Sequence, residues 1–336
     1  VVVTGASGFI GGYVVQEFLS QGWCVSAFVH RTPLRQSHHL TTVKGDVTDE
    51  GSIRHALAEI VRKTRLLPNT IVHCAGHSSD IGRRGYFQRI NYDSVRYLGR
   101  WVAEHPERRF VFVSTIDVYG LKDFHHEGEN QLSFCHKPRN PYPEFKIKAE
   151  RWLQENLKPH QYSVIRPGNV WGVGDKTLTP RFVSFLRTSP WVIHFGKWRG
   201  QNRWPLAHVK NVAAASFIAA TRSDSTCNAI HVLDDEKTTM DQFYGLLSAV
   251  YFPNKKHRRL FLPFWFGSLF GGVVTGLSHL LRRSHPLMDP SLYALQSISH
   301  NLDFDNSCFS KLMSNRGRRL VSREEGFREL MRWAEY

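Results

Sequence analysis

A tyrosine and a lysine four positions apart, Tyr142 and Lys146 in "NPYPEFKIKAE", could together move a proton on an alcohol or ketone oxygen. A phenol is too weak an acid–base near neutral pH unless its anion is stabilised, and a lysine one helical turn away can supply the charge. Spacing alone does not establish the pair. With 11 tyrosines and 14 lysines in 336 residues, roughly half a match is expected by chance, and "YFPNK" places Tyr251 and Lys255 at the same spacing. The second pair encloses Pro-Asn, a turn signal, beside "KKHRR", so Lys255 reads as part of a solvated basic cluster. In the first pair, Asn140 as N-cap would put Pro141 and Pro143 in the first helical turn, where backbone N–H groups lack helical partners anyway.

The elements that must position such a pair are legible upstream. "VVVTGASGFIGGYVVQEFLSQG" runs from a β-branched strand through Gly5, Gly8 and Gly11 into a helix with Val14, Val15, Phe18 and Leu19 on one face, ended by Gly22. Strand, glycine turn and helix N-terminus together make a phosphate site, because the helix start offers unpaired N–H groups and a positive dipole end. A ligand-free glycine turn is the rival, disfavoured by this order. The next strand, "CVSAFVH", ends in His30 and Arg31 instead of the acid that would hold the adenine ribose of NAD. Arg31, with His30 and Arg35, suits a 2′-phosphate, so NADP is favoured and NAD stays open. Further strands ("TTVKGDVTD", "TIVHCAG", "RFVFVST") alternate with helices ("SIRHALAEIVRKT", "YFQRINYDSVRYLGRWVAEH"). The fold class expected is α/β, a doubly wound parallel sheet of Rossmann type with a smaller, mainly helical C-terminal substrate domain. Residues 1–172 form the nucleotide domain, its sheet completed from 205–235; 173–204 and 236–336 form the substrate domain.

Taken in order, these segments resemble an extended short-chain dehydrogenase/reductase, of the NAD-dependent epimerase/dehydratase superfamily. "TGASGFIG" (4–11), "GDVTD" (45–49), "HCAG" (73–76), "NYDSVRYL" from Asn91, "VSTIDVYG" (113–120), "PYPEFKIKAE" (141–150), "IRPGNVWGVGD" (165–175) and "HVKNVAAA" (208–215) carry the likeness over about two thirds of the chain. "GDKTLTPRF" and "LVSREEGFRELMRW" are similar to the 3β-hydroxysteroid dehydrogenase-like branch. The resemblance implies a catalytic set of Thr115, Tyr142 and Lys146, with Thr115 orienting the substrate oxygen and Lys146 also binding the nicotinamide ribose. It implies cofactor contacts from Gly5, Ser7, Gly8, Phe9, Ile10 and Gly11 at the phosphates, and from His30, Arg31, Asp46 and Val47 at the adenosine end. Ala75, Gly76, Asn91, Tyr142, Lys146, Pro167, Asn169 and Val170 would lie along the remainder. The activity implied is hydride transfer between NAD(P) and a secondary alcohol or ketone, on a largely apolar, sterol-like or lipid substrate. A nucleotide-sugar epimerase or dehydratase would use the same couple, with Arg181, Arg187, Arg199 and Arg203 for a diphosphate. Aromatic density around Trp191, Trp198, Trp204 and Phe264–Phe266 favours the apolar ligand. A non-catalytic NADP-binding regulator would not need the tyrosine.

Composition narrows the rest. The net charge of +15 favours an anionic partner such as a phosphorylated cofactor or an acidic membrane surface, and no motif supports nucleic acid. Cys24, Cys74, Cys135, Cys227 and Cys308 show no metal-ligand spacing, and neither do the His-His pairs at 38–39 and 125–126; no metal is expected. Reduced thiols and no signal-peptide pattern suggest the cytoplasm. The chain opens without Met inside "VVVTG", so a few preceding residues are expected. Tyr119, with Asp123 in place of a lysine partner, reads as a packing residue. "LFLPFWFGSLFGGVVTGLSHLL" (260–281) carries no charged residue and is flanked by "KKHRR" and "RR". It reads as a buried substrate-facing element, as an interfacial segment touching a membrane surface, or least well as a span. A homodimer is left open.

Overall fold

The computed structural model describes residues 1–34, 37–79, 82–222, 228–269 and 292–334. Arg35, Cys227 and positions 270–281 of the apolar stretch lie outside the described residues. β1 (Val2–Thr4) is wholly buried, as a β-branched run at the centre of a sheet should be. Seven parallel strands form that sheet. Beside β1 lie β2 (Val25–Val29) and then β3 (Leu40–Lys44) on one side. On the other side come β4 (Thr70–His73), β5 (Arg109–Val113), β7 (Tyr162–Pro167) and β11 (Ala229–Val232). The intervening β6 is Phe124–Glu127, β8 Asn169–Trp171, β9 Trp191–Phe195 and β10 Leu206–His208. The order 3-2-1-4-5-7-11 reverses direction between β1 and β4. At that switch point a doubly wound sheet opens a crevice beyond its strand ends.

Helices cover both faces. α1 (Phe9–Ser20) and α7 (Val209–Thr221) pack on one, where Val14, Val15 and Phe18 meet the alanine-rich side of α7. α2 (Glu50–Thr64), α4 (Ser94–Ala103) and α5 (Pro141–Asn156) pack on the other. Each fully buried large apolar side chain, Phe18 or Phe112 for example, contributes about 1.5–3 kcal/mol. α4 and α5 approach closely because position 99 is glycine: a Cβ there would stand 2.2 Å from the Trp152 ring. The helix read through "YFQRINYDSVRYL" is interrupted. A short α3 (Arg84–Gln88) passes into one π turn, Arg89–Asp93, before α4 begins.

The C-terminal part is helical with short parallel strand pairs, β8 with β10, β9 with β12 (Arg258–Leu262) and β6 with β13 (Leu302–Phe304). α6 (Leu178–Thr188) and α8 (Met240–Tyr251) pack there around Phe182, Phe243 and Tyr244.

Candidate active site

The β1–α1 turn is built around glycine. Gly5 has φ +63°, and a Cβ on it would lie 2.7 Å from the Ala75 nitrogen; a Cβ on Gly11 would lie 2.1 Å from the Gly5 oxygen. The N-cap of α1 is Gly8, so no side chain caps the N–H groups of the first turn, and they remain available to an anion. Ser7, Phe9 and Ile10 flank them, half-buried. These features fit a dinucleotide pyrophosphate.

Beneath the loop, a chain of hydrogen bonds ties β1 to β4. The Ala75 N–H donates to Thr4 Oγ1 at 3.3 Å, and Thr4 Oγ1 lies 2.7 Å from His73 Nδ1. His73 Nε2 lies 3.1 Å from Ser94 Oγ, which donates its own proton to the Ile90 carbonyl at 2.7 Å. Ser94 has no second proton to give, so His73 donates from Nε2 and accepts from Thr4 at Nδ1. Burial pushes His73 down to about 3, so the ring stays neutral. Asn91, in the π turn, accepts from the His77 N–H and donates to the His77 carbonyl, both at 3.0 Å. It thereby fixes the segment that follows Ala75 and Gly76.

Where the adenosine of a dinucleotide is expected, His30 and Arg31 are exposed beyond β2, and His30 Nε2 lies 3.7 Å from the Asp46 carboxylate. Burial opposes ionisation of Asp46, yet the N–H and hydroxyl of Thr48, with His30 and Arg31 nearby, hold it below the usual carboxylate range. Val47 is half-buried beside it. Beyond β7, Pro167 is buried and Asn169 donates its N–H to the Pro205 carbonyl at 2.7 Å, with Val170 next in β8.

Asn140 is the N-cap of α5, and its side chain accepts the Tyr142 N–H at 2.8 Å with Pro141 in the first turn. The two prolines therefore sit where the helix tolerates them. Thr115 follows β5, and its side chain hydrogen-bonds Tyr142 and caps the short helix Ile116–Tyr119 through the Asp117 N–H at 3.2 Å. Lys146 is buried. Its Nζ donates to the Val113 carbonyl at 2.7 Å, lies 4.4 Å from the Phe112 ring centre and 5.9 Å from that of Tyr142. A Cβ on Gly76 would come within 3.5 Å of that Nζ. Thr115, Tyr142, Lys146, Gly76 and Asn91 are thus gathered at the strand ends beside the switch point.

The electrostatics differ from the simple expectation that Lys146 makes Tyr142 more acidic. Burial and the Asp117 carboxylate push Tyr142 well above an ordinary tyrosine, with only the Thr115 hydrogen bond opposing. Burial pushes Lys146 down to about 8, against the raising effect of Glu150 and Cys74. Desolvation dominates at both groups, and the ammonium is committed to the Val113 carbonyl. Asp117, two residues past Thr115 in "VSTIDVYG", escaped the sequence reading. Its signal was an acid inside the strand-end turn that carries the hydroxyl.

Behind the couple lies a buried polar network that also joins distant segments. Ser114 donates to Glu150, and Glu150 pairs with Arg166 through Nε and Nη2. Arg166 Nη1 donates to the Tyr119 hydroxyl at 2.6 Å, and Tyr119 lies 2.7 Å from His231 Nε2, whose Nδ1 is 3.0 Å from the Asp305 carbonyl. Tyr119 packs as expected but also carries this hydrogen-bonded hydroxyl, pushed up to about 12 by burial.

Tyr251 ends α8 away from these groups, and Lys255 is not a solvated cation. It donates to the carbonyls of Leu186 and Arg187 at 2.7 and 2.8 Å, closing the C-terminus of α6. The aromatic residues do not line one pocket. Trp204 is buried in the core, Trp198 donates to Asp123 at 2.9 Å, and Trp191 is on the surface. Among the described residues no group of three metal-ligating side chains forms, and Cys24, Cys74, Cys135 and Cys308 form no disulfide.

A model of the NAD dependent epimerase/dehydratase family matches residues 1–232. The chain belongs to that family. Within it the chain is an extended short-chain dehydrogenase/reductase of the 3β-hydroxysteroid dehydrogenase-like branch. It is similar to a human (Homo sapiens) sterol-4-alpha-carboxylate 3-dehydrogenase, decarboxylating, at 25% identity over 78% of this chain and 69% of that protein. It is also similar to a 3-beta-hydroxysteroid dehydrogenase of Mycolicibacterium neoaurum, at 30% identity over 53% of this chain and 49% of that protein. In fold it matches a dTDP-glucose 4,6-dehydratase from Bacillus anthracis solved in complex with NAD, with TM-score 0.71 and 17% identity over 99% of this chain and 96% of the other.

Proposed function

We propose that this family member interconverts a secondary alcohol and a ketone on a largely apolar, sterol-like or lipid substrate. The observation that carries this reading is the Tyr142 hydroxyl, hydrogen-bonded to Thr115 and one helical turn from buried Lys146, at the strand ends beside the phosphate loop. Bound NAD(P) supplies or accepts the hydride. Thr115 and Tyr142 hold the substrate oxygen, and Tyr142 gives it a proton or removes one. Because Tyr142 is protonated at neutral pH, it is set to donate to a ketone; removal of an alcohol proton gains as pH rises. Lys146, released from the Val113 carbonyl, would bind the nicotinamide ribose.

The loop residues Gly5 to Gly11 would hold the pyrophosphate on the α1 N-terminus. We propose NADP as the preferred form, with Arg31 and His30 meeting the 2′-phosphate, and NAD as the alternative. An apolar substrate partitions into lipid, and membrane-surface contact through 260–281 is the alternative to a buried, substrate-facing role for that stretch. Among the described residues no helix is long and apolar enough to cross one.

A nucleotide-sugar epimerase or dehydratase is the second reading, since the same couple serves it. Two of the cations it would draw on have other engagements: Arg199 lies over the Phe261 ring at 4.5 Å, and Arg203 reaches the Lys237 carbonyl at 3.4 Å. The test is a cofactor titration followed by a panel of secondary alcohols and sugar nucleotides, with Tyr142→Phe in parallel. Cofactor binding should persist in the variant while kcat falls by about 10²–10⁴-fold. Unchanged turnover would overturn the proposed role of Tyr142.

A further inference from the structure

Thr115 stands at the start of a helix too short to hold itself. Ile116–Tyr119 is a single turn, capped by Thr115 through the Asp117 N–H at 3.2 Å and closed by the Gly120 N–H to the Asp117 carbonyl at 3.0 Å. One such turn is not stable alone, so its orientation must come from tertiary contacts. Both flanks of Thr115 reach the same buried ion pair. Ser114, immediately before it, donates to Glu150. Tyr119, at the far end of the turn, accepts from Arg166 Nη1 at 2.6 Å, and Arg166 is paired with Glu150. Chain and side chains thus close a circuit, Ser114–Glu150–Arg166–Tyr119, around Thr115. Glu150 lies on α5, the helix of Tyr142 and Lys146, so the circuit sets the turn against that helix.

Hydrogen-bond directions show where the circuit leads. The Asp305 carbonyl can only accept, so His231 donates to it from Nδ1 at 3.0 Å and presents Nε2 as an acceptor. The Tyr119 hydroxyl, 2.7 Å from Nε2, therefore donates to His231 while accepting from Arg166. Its aromatic ring packs on Phe124 and on Phe304 of β13. Asn301, in the same C-terminal segment, donates to the Phe124 carbonyl at 2.6 Å. Tyr119 is where the circuit meets that segment.

We infer that Tyr119 is a positioning residue: through this circuit it holds the Thr115 hydroxyl at Tyr142, and through His231 it makes that placement depend on the C-terminal segment 301–306. The work of Thr115 on a substrate oxygen rests on the proposed activity; the hold on the Thr115 turn does not.

The test combines Tyr119→Phe with Thr115→Val, singly and together, in ketone reduction and in amide hydrogen exchange read by mass spectrometry on the peptide spanning 114–120. Leu247→Ala, at a buried position of α8, is the control for lost stability. Thr115→Val should lower kcat about 10²-fold and Tyr119→Phe about tenfold, with KM for the cofactor unchanged. Because Tyr119 acts through Thr115, adding Tyr119→Phe to Thr115→Val should lower kcat no further. Exchange at 114–120 should quicken about tenfold in Tyr119→Phe, and more than in Leu247→Ala. If Tyr119→Phe does not fold, Ser114→Ala, a smaller change at the other end of the circuit, carries the same expectations. Losses that multiply in the double variant, exchange that stays at the wild-type rate, or a kcat loss reproduced by Leu247→Ala would each overturn the inference. A wild type that reduces no ketone, with exchange at 114–120 still dependent on Tyr119, would count against the proposed activity and support the hold on the turn.

Discussion

The buried pair of Glu150 and Arg166 offers the sharpest test of how this site is held. Glu150 is fully buried and Arg166 nearly so, at 0% and 5% side-chain exposure, with Ser114 and Tyr119 completing their hydrogen bonds. Glu150→Gln keeps the shape but leaves a guanidinium without its counter-charge and turns an amide N–H₂ toward other donors. Losing one partner of such a pair costs about 3–5 kcal/mol. At ~2 °C per kcal/mol for a chain of this size, Tm should fall by about 6–10 °C. Replacing both residues, Glu150→Leu with Arg166→Met, should cost much less, because no charge is then stranded. The same variant also reports on the site. Glu150 raises the Lys146 ammonium against burial, which nevertheless brings it down to about 8. Removing that carboxylate should make Lys146 lose its proton at lower pH, so the alkaline limb of kcat/KM for ketone reduction should move down. Urea denaturation and a pH–rate profile on one preparation measure both arms. A cost under ~1 kcal/mol would refute the picture of a stranded charge. An alkaline limb that stays in place would refute the coupling to Lys146.

Two other perturbations follow from the same physics. Burial holds His73 near 3 and His208 and His231 near 4, all below the unfolded value of 6.5, whereas burial raises Asp234 from 3.8 to about 6. Between pH 6.5 and 4 the unfolded chain therefore gains three histidine protons that the fold refuses, while the fold gains one on Asp234; the net of about two protons should cost about 2.7 kcal/mol per pH unit through the lower part of that window, and urea midpoints that do not fall on acidification would contradict it. At the adenosine end, Arg31→Gln should raise KM for NADP by about ten- to hundredfold while KM for NAD changes little, and equal effects on both cofactors would remove the argument for a 2′-phosphate contact.

What the sequence disclosed divides along a physical line. Features determined by neighbours in the chain were legible. The β-branched runs, the glycines at 5, 8 and 11, and Asn140 capping a helix that begins in prolines are all local devices, and their spacing carries the information. Features that join distant segments were not. Lys255 meets the end of α6 some 70 positions earlier, so a basic cluster on paper becomes a helix cap in space. Arg166, Tyr119 and His231 meet from three elements, and nothing in "VIRPG" or "AIHVL" indicates that each holds the next. The π turn at Arg89–Asp93 was hidden because its residues keep helical periodicity; Asn91 gripping the His77 backbone is a tertiary event.

The same distinction explains why the Tyr–Lys spacing identified the couple without giving its electrostatics. Four positions on a helix bring Lys146 near Tyr142, but the effect of that proximity depends on what surrounds both. Phe112 and the Val113 carbonyl surround the ammonium, while Thr115 and Asp117 adjoin the phenol. Burial then acts on each in the direction of its neutral form. The protein alone therefore holds a protonated tyrosine beside a lysine that is readily neutralised. Under the proposed chemistry, such a site gives a proton to a ketone without rearrangement. To take one from an alcohol, Lys146 must first turn from Val113 toward the phenol, so Asp117→Asn, which removes the charge raising Tyr142, should carry the pH dependence of alcohol oxidation to lower pH. A profile that moves the other way would show that the carboxylate does not act on the phenol.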